Sequence, residues 1–159
     1  MGDKEINYSL EEIIDEGVDF GDLWYSSSSD EVLDNAEDEN GSPFNGIAYE
    51  TYANGMLRYF SIYKNGFQHG LTHEFYESGK TKSKQLMERG QIIGKKISWY
   101  ENGEIKSIGE YENGIELNYQ EWDENGNLAV SRVLSEICDN YKLLNLRREQ
   151  RKNEQTDLN

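Results

Sequence analysis

The stretch that decides the fold reads GIAYETYANGMLRYFSIYKNGFQH (46–69), GLTHEFYESGKTKSKQLMERGQII (70–93) and GKKISWYENGEIKSIGEYENGIEL (94–117). A fourth, degenerate copy follows from Leu117 as LNYQEWDENGNLAVSRVL. Through all of it runs a glycine beat at Asn54-Gly55, Asn65-Gly66, Ser78-Gly79, Arg89-Gly90, Asn102-Gly103, Asn113-Gly114 and Asn125-Gly126. The spacings are 11, 13, 11, 13, 11 and 12, so two steps make a period of 24, short by one residue only at the end. A fixed internal period of this size marks a repeat architecture.

Asn-Gly is the favoured dipeptide of a two-residue type I′ hairpin turn, whose central residues both need positive φ. Between turns lie segments of about seven residues rich in Tyr, Phe, Trp, Ile and Thr, the length and composition of strands. None is long enough to carry a βαβ crossover. The reading is therefore an all-β repeat: an elongated, single-layer antiparallel meander of β-hairpins.

Units such as SWYENGEIKSIGEYENG (98–114) resemble the MORN-repeat variant of bacterial YwqK-like antitoxin proteins. The shared pattern is a Tyr or Trp before Tyr, an Asn-Gly turn, a polar strand ending in Tyr, and a second Gly turn. The lead-in Pro43-Phe44-Asn45-Gly46 is similar to the family's opening too. The second unit departs at Ser78-Gly79 and Arg89-Gly90, and the fourth at Asp123. The resemblance spans 41–135 and implies an antitoxin or immunity protein that binds and neutralises a cognate protein toxin.

Around this array the chain divides into an acidic N-terminal segment (1–43), the repeats (44–135), and an amphipathic helix with a polar tail (136–159). Of the net charge of −15, the first 43 residues hold 14 acidic groups against one lysine, a net of −13. Such a field repels nucleic acid and anionic lipid and draws a basic partner. Asp34, Glu37, Asp38 and Glu39 are its densest part. Ser9-Leu10-Glu11-Glu12 fits a capping box, with Tyr8 and Ile13 as a hydrophobic staple, so a short helix is expected over 10–16 with Gly17 at its end. Val18–Tyr25 reads as a solvated tail or as a strand over the first sheet edge, and 26–42 as a loop or partly disordered linker. The last edge also needs a cap. Ser135 is placed to start a helix over 136–150 with Ile137, Cys138, Tyr141, Leu143 and Leu144 on one side.

Alternation along the first strand of each unit puts Ile47, Tyr49, Leu71, His73, Phe75, Ile97 and Trp99 on one face. Ala48, Glu50, Tyr52, Thr72, Glu74, Tyr76 and Tyr100 lie on the other. On the return strand, Leu57, Tyr59 and Tyr63 oppose Arg58, Phe60 and Ile62. The Tyr52, Tyr76, Tyr100 column, interleaved with Glu50 and Glu74, is the candidate partner surface, because tyrosine gives large contact area at low entropic cost. The competing reading is structural bracing by cross-strand aromatic pairs.

No catalytic constellation, cofactor loop or metal spacing is read. His69 and His73 have no carboxylate or Cys at ligand spacing, and every Gly motif separates strands rather than opening a helix. The single Cys138 and the lack of an apolar leader or spanning run predict a cytoplasmic chain. A second class stays open, a scaffold for membrane lipid or another cellular protein, with Lys80, Lys82, Lys84, Lys95, Lys96 and Lys106 as a modest basic region. Oligomeric state is not read.

Overall fold

The structure, a computed structural model, describes residues 8–156. The first seven residues of the acidic segment and the last three of the polar tail lie outside the described residues.

The repeats build eight antiparallel strands in a meander: β4 (Gly46–Thr51), β5 (Leu57–Lys64), β6 (Phe67–Phe75), β7 (Thr81–Glu88), β8 (Gln91–Trp99), β9 (Ile105–Glu112), β10 (Ile115–Trp122) and β11 (Leu128–Val133). The glycine beat resolves into two kinds of turn. At Asn65-Gly66, Arg89-Gly90 and Asn113-Gly114 both residues have positive φ, as a type I′ turn requires. At the other four positions only the glycine does. There, Tyr52 N–H donates to the Met56 carbonyl and Gly55 N–H to the Tyr52 carbonyl, closing a three-residue loop with a bulge beyond it. Uniform type I′ turns are thus corrected to an alternation, and this alternation makes the period 24 rather than 12.

Bulges carry the missing residue as well. Between Ser61/Tyr63 and between Lys84/Leu86, the facing strand holds two extra residues, at the position of Gly70 and Gly94. Between Glu116 and Asn118 the last full hairpin has one extra. The period shortens in the bulge, and the rest of the frame is unchanged.

Neighbouring units are joined by bonds that skip a strand. At the loop end Tyr52 Oη donates to the Phe75 carbonyl (2.9 Å), Tyr76 Oη to Trp99 (2.8 Å) and Tyr100 Oη to Trp122 (2.8 Å). At the turn end Gly66, Gly90 and Gly114 N–H donate to Phe44, Gln68 and Ile92 carbonyls, each 2.9 Å. The fourth unit has Asp123 where a tyrosine would stand. Its carboxylate instead accepts from Asn125 and Asn127 N–H, both 2.9 Å, and closes its own loop.

The N-terminal segment covers both faces of the first unit. α1 (Leu10–Glu16) has the full capping box between Ser9 and Glu12. Ile13 is buried against Ile47, Leu57 and Phe60, with Tyr8, Tyr49, Ile62, Leu71 and Phe75 packed around them; this is the helix face. Gly17 is extended, not left-handed, and a Cβ there would lie 2.4 Å from the Ile13 carbonyl oxygen and 2.8 Å from the Tyr49 ring. Close approach selects this glycine. The expected strand 18–25 is corrected to two residues, β1 (Val18–Asp19), pairing parallel with β4 at the edge. A 3-10 turn follows, and then β2 (Trp24–Tyr25) pairs with β3 (Val32–Leu33). The linker reading of 26–42 is corrected too. Val32, Leu33 and Ala36 are buried, and Val32 packs with Phe44, Ala48 and Tyr63 on the opposite face.

The C-terminal helix, α2 (Asp139–Thr156), starts later and runs longer than expected. Ser135 caps a turn through its carbonyl to Cys138 N–H. α2 lies across the tight turns: Arg147 donates to the Asn113 carbonyl, Arg148 grips Glu112 with two 2.6 Å bonds, and Arg151 pairs with Glu88 at 2.5 Å. Leu144 is buried, whereas Ile137 is 90% exposed. The expected edge cap is therefore corrected. β11 ends the sheet with Leu128 and Val133 exposed.

His73 is buried between Phe60 and Phe75, with ring centroids 5.8 and 3.9 Å away, and hydrogen-bonds Thr81 at 3.1 Å. Burial, and secondarily the Lys84 charge, push its pKa down to about 4. The folded state thus binds fewer protons than the unfolded chain between that value and the unfolded value of about 6.5. Stability should fall as pH drops through this window, and His73→Phe should remove that component from melting curves recorded between pH 4 and 7. Tyr76→Phe, which deletes one hydroxyl from the loop-end row, should cost about 1 kcal/mol in urea unfolding.

Candidate partner-binding groove

The three-residue loops decide which side chains face the second side of the sheet. At each loop-end bulge two successive residues of the return strand turn the same way. Arg58 reaches Glu50 at 3.3 Å on the same face as Tyr59, and Leu57 turns to the helix face instead. The strict alternation expected for this strand is corrected on both residues. Lys82 with Ser83, and Lys106 with Ser107, repeat the arrangement.

Small side chains make the middle of the floor. Glu50, Tyr59, Glu74, Ser83, Ser98, Ser107 and Glu121 stand in one cross-strand row. Ser61, Thr72, Ser83 and Ser107 are buried, with hydroxyl bonds Ser61–Thr72 at 2.6 Å and Ser98–Ser107 at 2.5 Å. Two adjoining depressions of about 320 and 330 Å³ lie on this face and share Glu74 and Lys82; the second lies over Ser83, Ser98 and Ser107. We call this the groove face.

Its walls are tyrosines. Tyr25, Tyr52, Tyr59 and Tyr63 line the first depression, and Tyr76, Tyr111 and Tyr119 the second. Burial raises the phenol pKa of Tyr63, Tyr111 and Tyr119, so all three present neutral hydroxyls at physiological pH. Tyr59 accepts from Gln68 Nε2 at 2.6 Å, and Tyr119 donates to Glu121 at 2.6 Å with the Arg132 guanidinium 4.2 Å over its ring. Lys106 stands 5.5 Å over Tyr100, and Arg58 6.0 Å over Tyr52, both in cation–π range. Arg58, Lys82, Lys96 and Lys106 offset Glu50, Glu74 and Glu121, so the groove is nearly balanced in charge.

The structure brings Tyr52, Tyr76, Glu50 and Glu74 together in this groove and places Tyr100 in the same row. Their hydroxyls are committed to neighbouring carbonyls, so these three tyrosines expose ring surface rather than donors. The acidic candidates stand apart. β3 leads into them and is tied to Gly66 at the turn end of β5, whereas Tyr52 is at the loop end. Eight residues of β5 separate the two ends by roughly 26 Å. Two of the four hold their own loop. Asp34 Oδ1 accepts from Ser42 N–H at 2.7 Å. Glu37 takes bonds from Ser26 and Ser27, mainly the latter, which lower its pKa. Asp38 and Glu39 are exposed.

Sequence reading missed Tyr59, Tyr63, Tyr111 and Tyr119 as groove residues, and Arg58, Lys82 and Lys106 as one basic row. The 24-residue spacing of Arg58, Lys82 and Lys106 was the available signal. The lysines read as one basic region are split. Lys82, Lys96 and Lys106 line the groove, while Lys84 and Lys95 follow Ile97 on the helix face. The helix arginines bind Glu112 and Glu88 of the sheet, and the pairing holds the Glu112 carboxyl below the usual range.

An open, single-layer array of β-hairpin repeats with an aromatic groove along one face is the class these features define. At 61% identity over 145 residues, 91% of this chain and 94% of the relative, the sequence is similar to Immunity protein YwqK of Bacillus subtilis (strain 168). The chain belongs to the YwqK-like immunity protein family. No family model and no solved structure matches it.

Ser61→Val tests the floor. It leaves the buried Thr72 hydroxyl without its partner, which should cost about 1–3 kcal/mol in chemical denaturation, more than removing both hydroxyls together.

Proposed function

We propose that this chain neutralises a protein toxin in the cytoplasm by binding it along the groove face. The observation that carries the reading is the tyrosine-walled groove in a member of an immunity protein family. Tyr59, Tyr111 and Tyr119 offer ring area with hydroxyls at the groove, and Tyr52, Tyr76 and Tyr100 add ring faces beside Glu50 and Glu74. Tyrosine, with arginine, is among the residues most enriched at binding hot spots. The toxin is basic in this reading. A chain of net charge −15 attracts such a partner at long range, and the acidic segment does most of the steering. The scaffold reading, with lipid bound through a basic plane, is weakened by the division of the lysines between two faces.

The test is co-expression with candidate toxins, the products of the neighbouring genes first, followed by titration of the purified pair. Wild type should restore growth and form a complex; absence of both would overturn the reading. Tyr59→Ala and Tyr119→Ala should each weaken binding by about 1–3 kcal/mol. Asp38→Asn with Glu39→Gln should slow association at low salt and leave dissociation nearly unchanged.

A further inference from the structure

The repeat carries an internal control for which apolar positions need cover. In the first unit Leu57 is 5% and Phe60 2% exposed, both under α1. In the second unit, which α1 does not cover, the same positions are Thr81 and Lys84. At these two positions the side chain left to solvent has turned polar, whereas Leu86 on the same face stays apolar at 47% exposed. In the third unit the two positions are apolar again, Ile105 and Ile108, and in the fourth the first of them is Leu128. Yet Ile105 is 44% and Leu128 53% exposed.

The surroundings match the α1 seat. Ile97 and Ile108 are directly paired, as Tyr49 and Phe60 are in the first unit. Trp99 pairs with Ile105 and Trp122 with Leu128, where Phe75 pairs with Thr81. Lys84 and Lys95 adjoin this strip, and Glu110, across from Lys95, contacts it at a loose 4.0 Å. The element that fills the first seat is an acidic helix with Glu11, Glu12, Asp15 and Glu16 around its buried Ile13. That helix is already seated and cannot serve another copy without leaving its own core.

We propose that the strip Ile97, Trp99, Ile105, Ile108 and Leu128 is a second helix seat, which takes an acidic amphipathic helix of the protein toxin. The inference rests on the immunity reading for the identity of the partner. The repeat supplies the shape and the lysines supply the charge preference. The toxin is thereby held on both faces of one sheet, with the groove on one side and this seat on the other.

The probe is the purified toxin that the co-expression test identifies. Ile105→Lys with Leu128→Lys changes two exposed side chains, so circular dichroism and melting should match wild type. The double variant should bind about tenfold or more weakly, as loss of an interface anchor does. In a Trp24→Phe background, which leaves Trp99 and Trp122, toxin binding should shift tryptophan emission to shorter wavelength as the seat is covered. This second measurement stands even if the double variant folds poorly. Wild-type binding with no emission shift, or a folded double variant that binds equally, overturns the seat and leaves the groove reading intact. A dimer of the free protein that dissociates in the double variant overturns the choice of occupant. Failure of wild type to bind the toxin overturns the immunity reading, and this inference with it.

Discussion

A sheet one layer thick has no second layer to hold its strands in place, and this one relies on bonds that skip a strand. Tyrosine hydroxyls at the loop end and glycine N–H groups at the turn end each reach a carbonyl of an adjoining unit. Adjacent strands stand nearly 5 Å apart, so a bond from one unit to the next spans two strand spacings, which the length of a tyrosine side chain covers at the loop end. The 24-residue period brings tyrosine, tight turn and the bulges at Gly70 and Gly94 round together. Asp123 ends the row by bonding its own loop, which suits a unit with no successor.

With the frame held this way, cover is needed only where apolar residues are dense. The first unit is the aromatic-rich one, and the N-terminal segment packs on both its sides, α1 over Phe60 and the β2–β3 hairpin over Tyr63. α2 is attached differently. Its contacts with the sheet run through Arg147, Arg148 and Arg151 to turn residues, and only Leu144 among its large apolar side chains is fully buried. Ion pairs of this exposure contribute modestly, so α2 braces the turns more than it stabilises a core.

Much of this was legible because glycine and asparagine act through backbone geometry that the sequence states directly. The hairpin meander and the capping box at Ser9 both followed from such local signals. What escaped depended on register. Leu57 and Arg58 exchanged faces because a bulge breaks alternation, and a bulge leaves no mark in a strand's own composition. Val32 and Leu33 were hidden among serines and carboxylates, with too few apolar neighbours to show a period. The helix at 139–156 was visible, but its seat was set by arginines whose partners, Glu112 and Glu88, lie tens of residues away. Tyr52, Tyr76 and Tyr100 were found as a column, although a column alone does not reveal that its hydroxyls are already used.

That commitment bears on how the groove can discriminate between partners. A residue that holds the frame in the first three units cannot vary freely from one to the next, so in the proposed binding mode the recurring tyrosines would confer affinity more than selectivity. Selectivity is left to positions that the frame presents identically while their side chains differ. Two such series flank the tyrosines: Glu50, Glu74, Ser98 and Glu121, and beside them Arg58, Lys82, Lys106 and Ala129. Within the first two units the opposite charges pair and neutralise one another, at 3.3 and 3.5 Å. In the third unit serine replaces the glutamate, and Lys106 turns instead toward the Tyr100 ring. The groove therefore reads as two neutral steps, one of net positive charge at Ser98 and Lys106, and one of net negative charge at Glu121 and Ala129. A partner laid along it meets the same rings at each step, about 10 Å apart at standard strand spacing, but a charge that changes along the line. Direction and register of binding can be set by that sequence of charges without altering the fold.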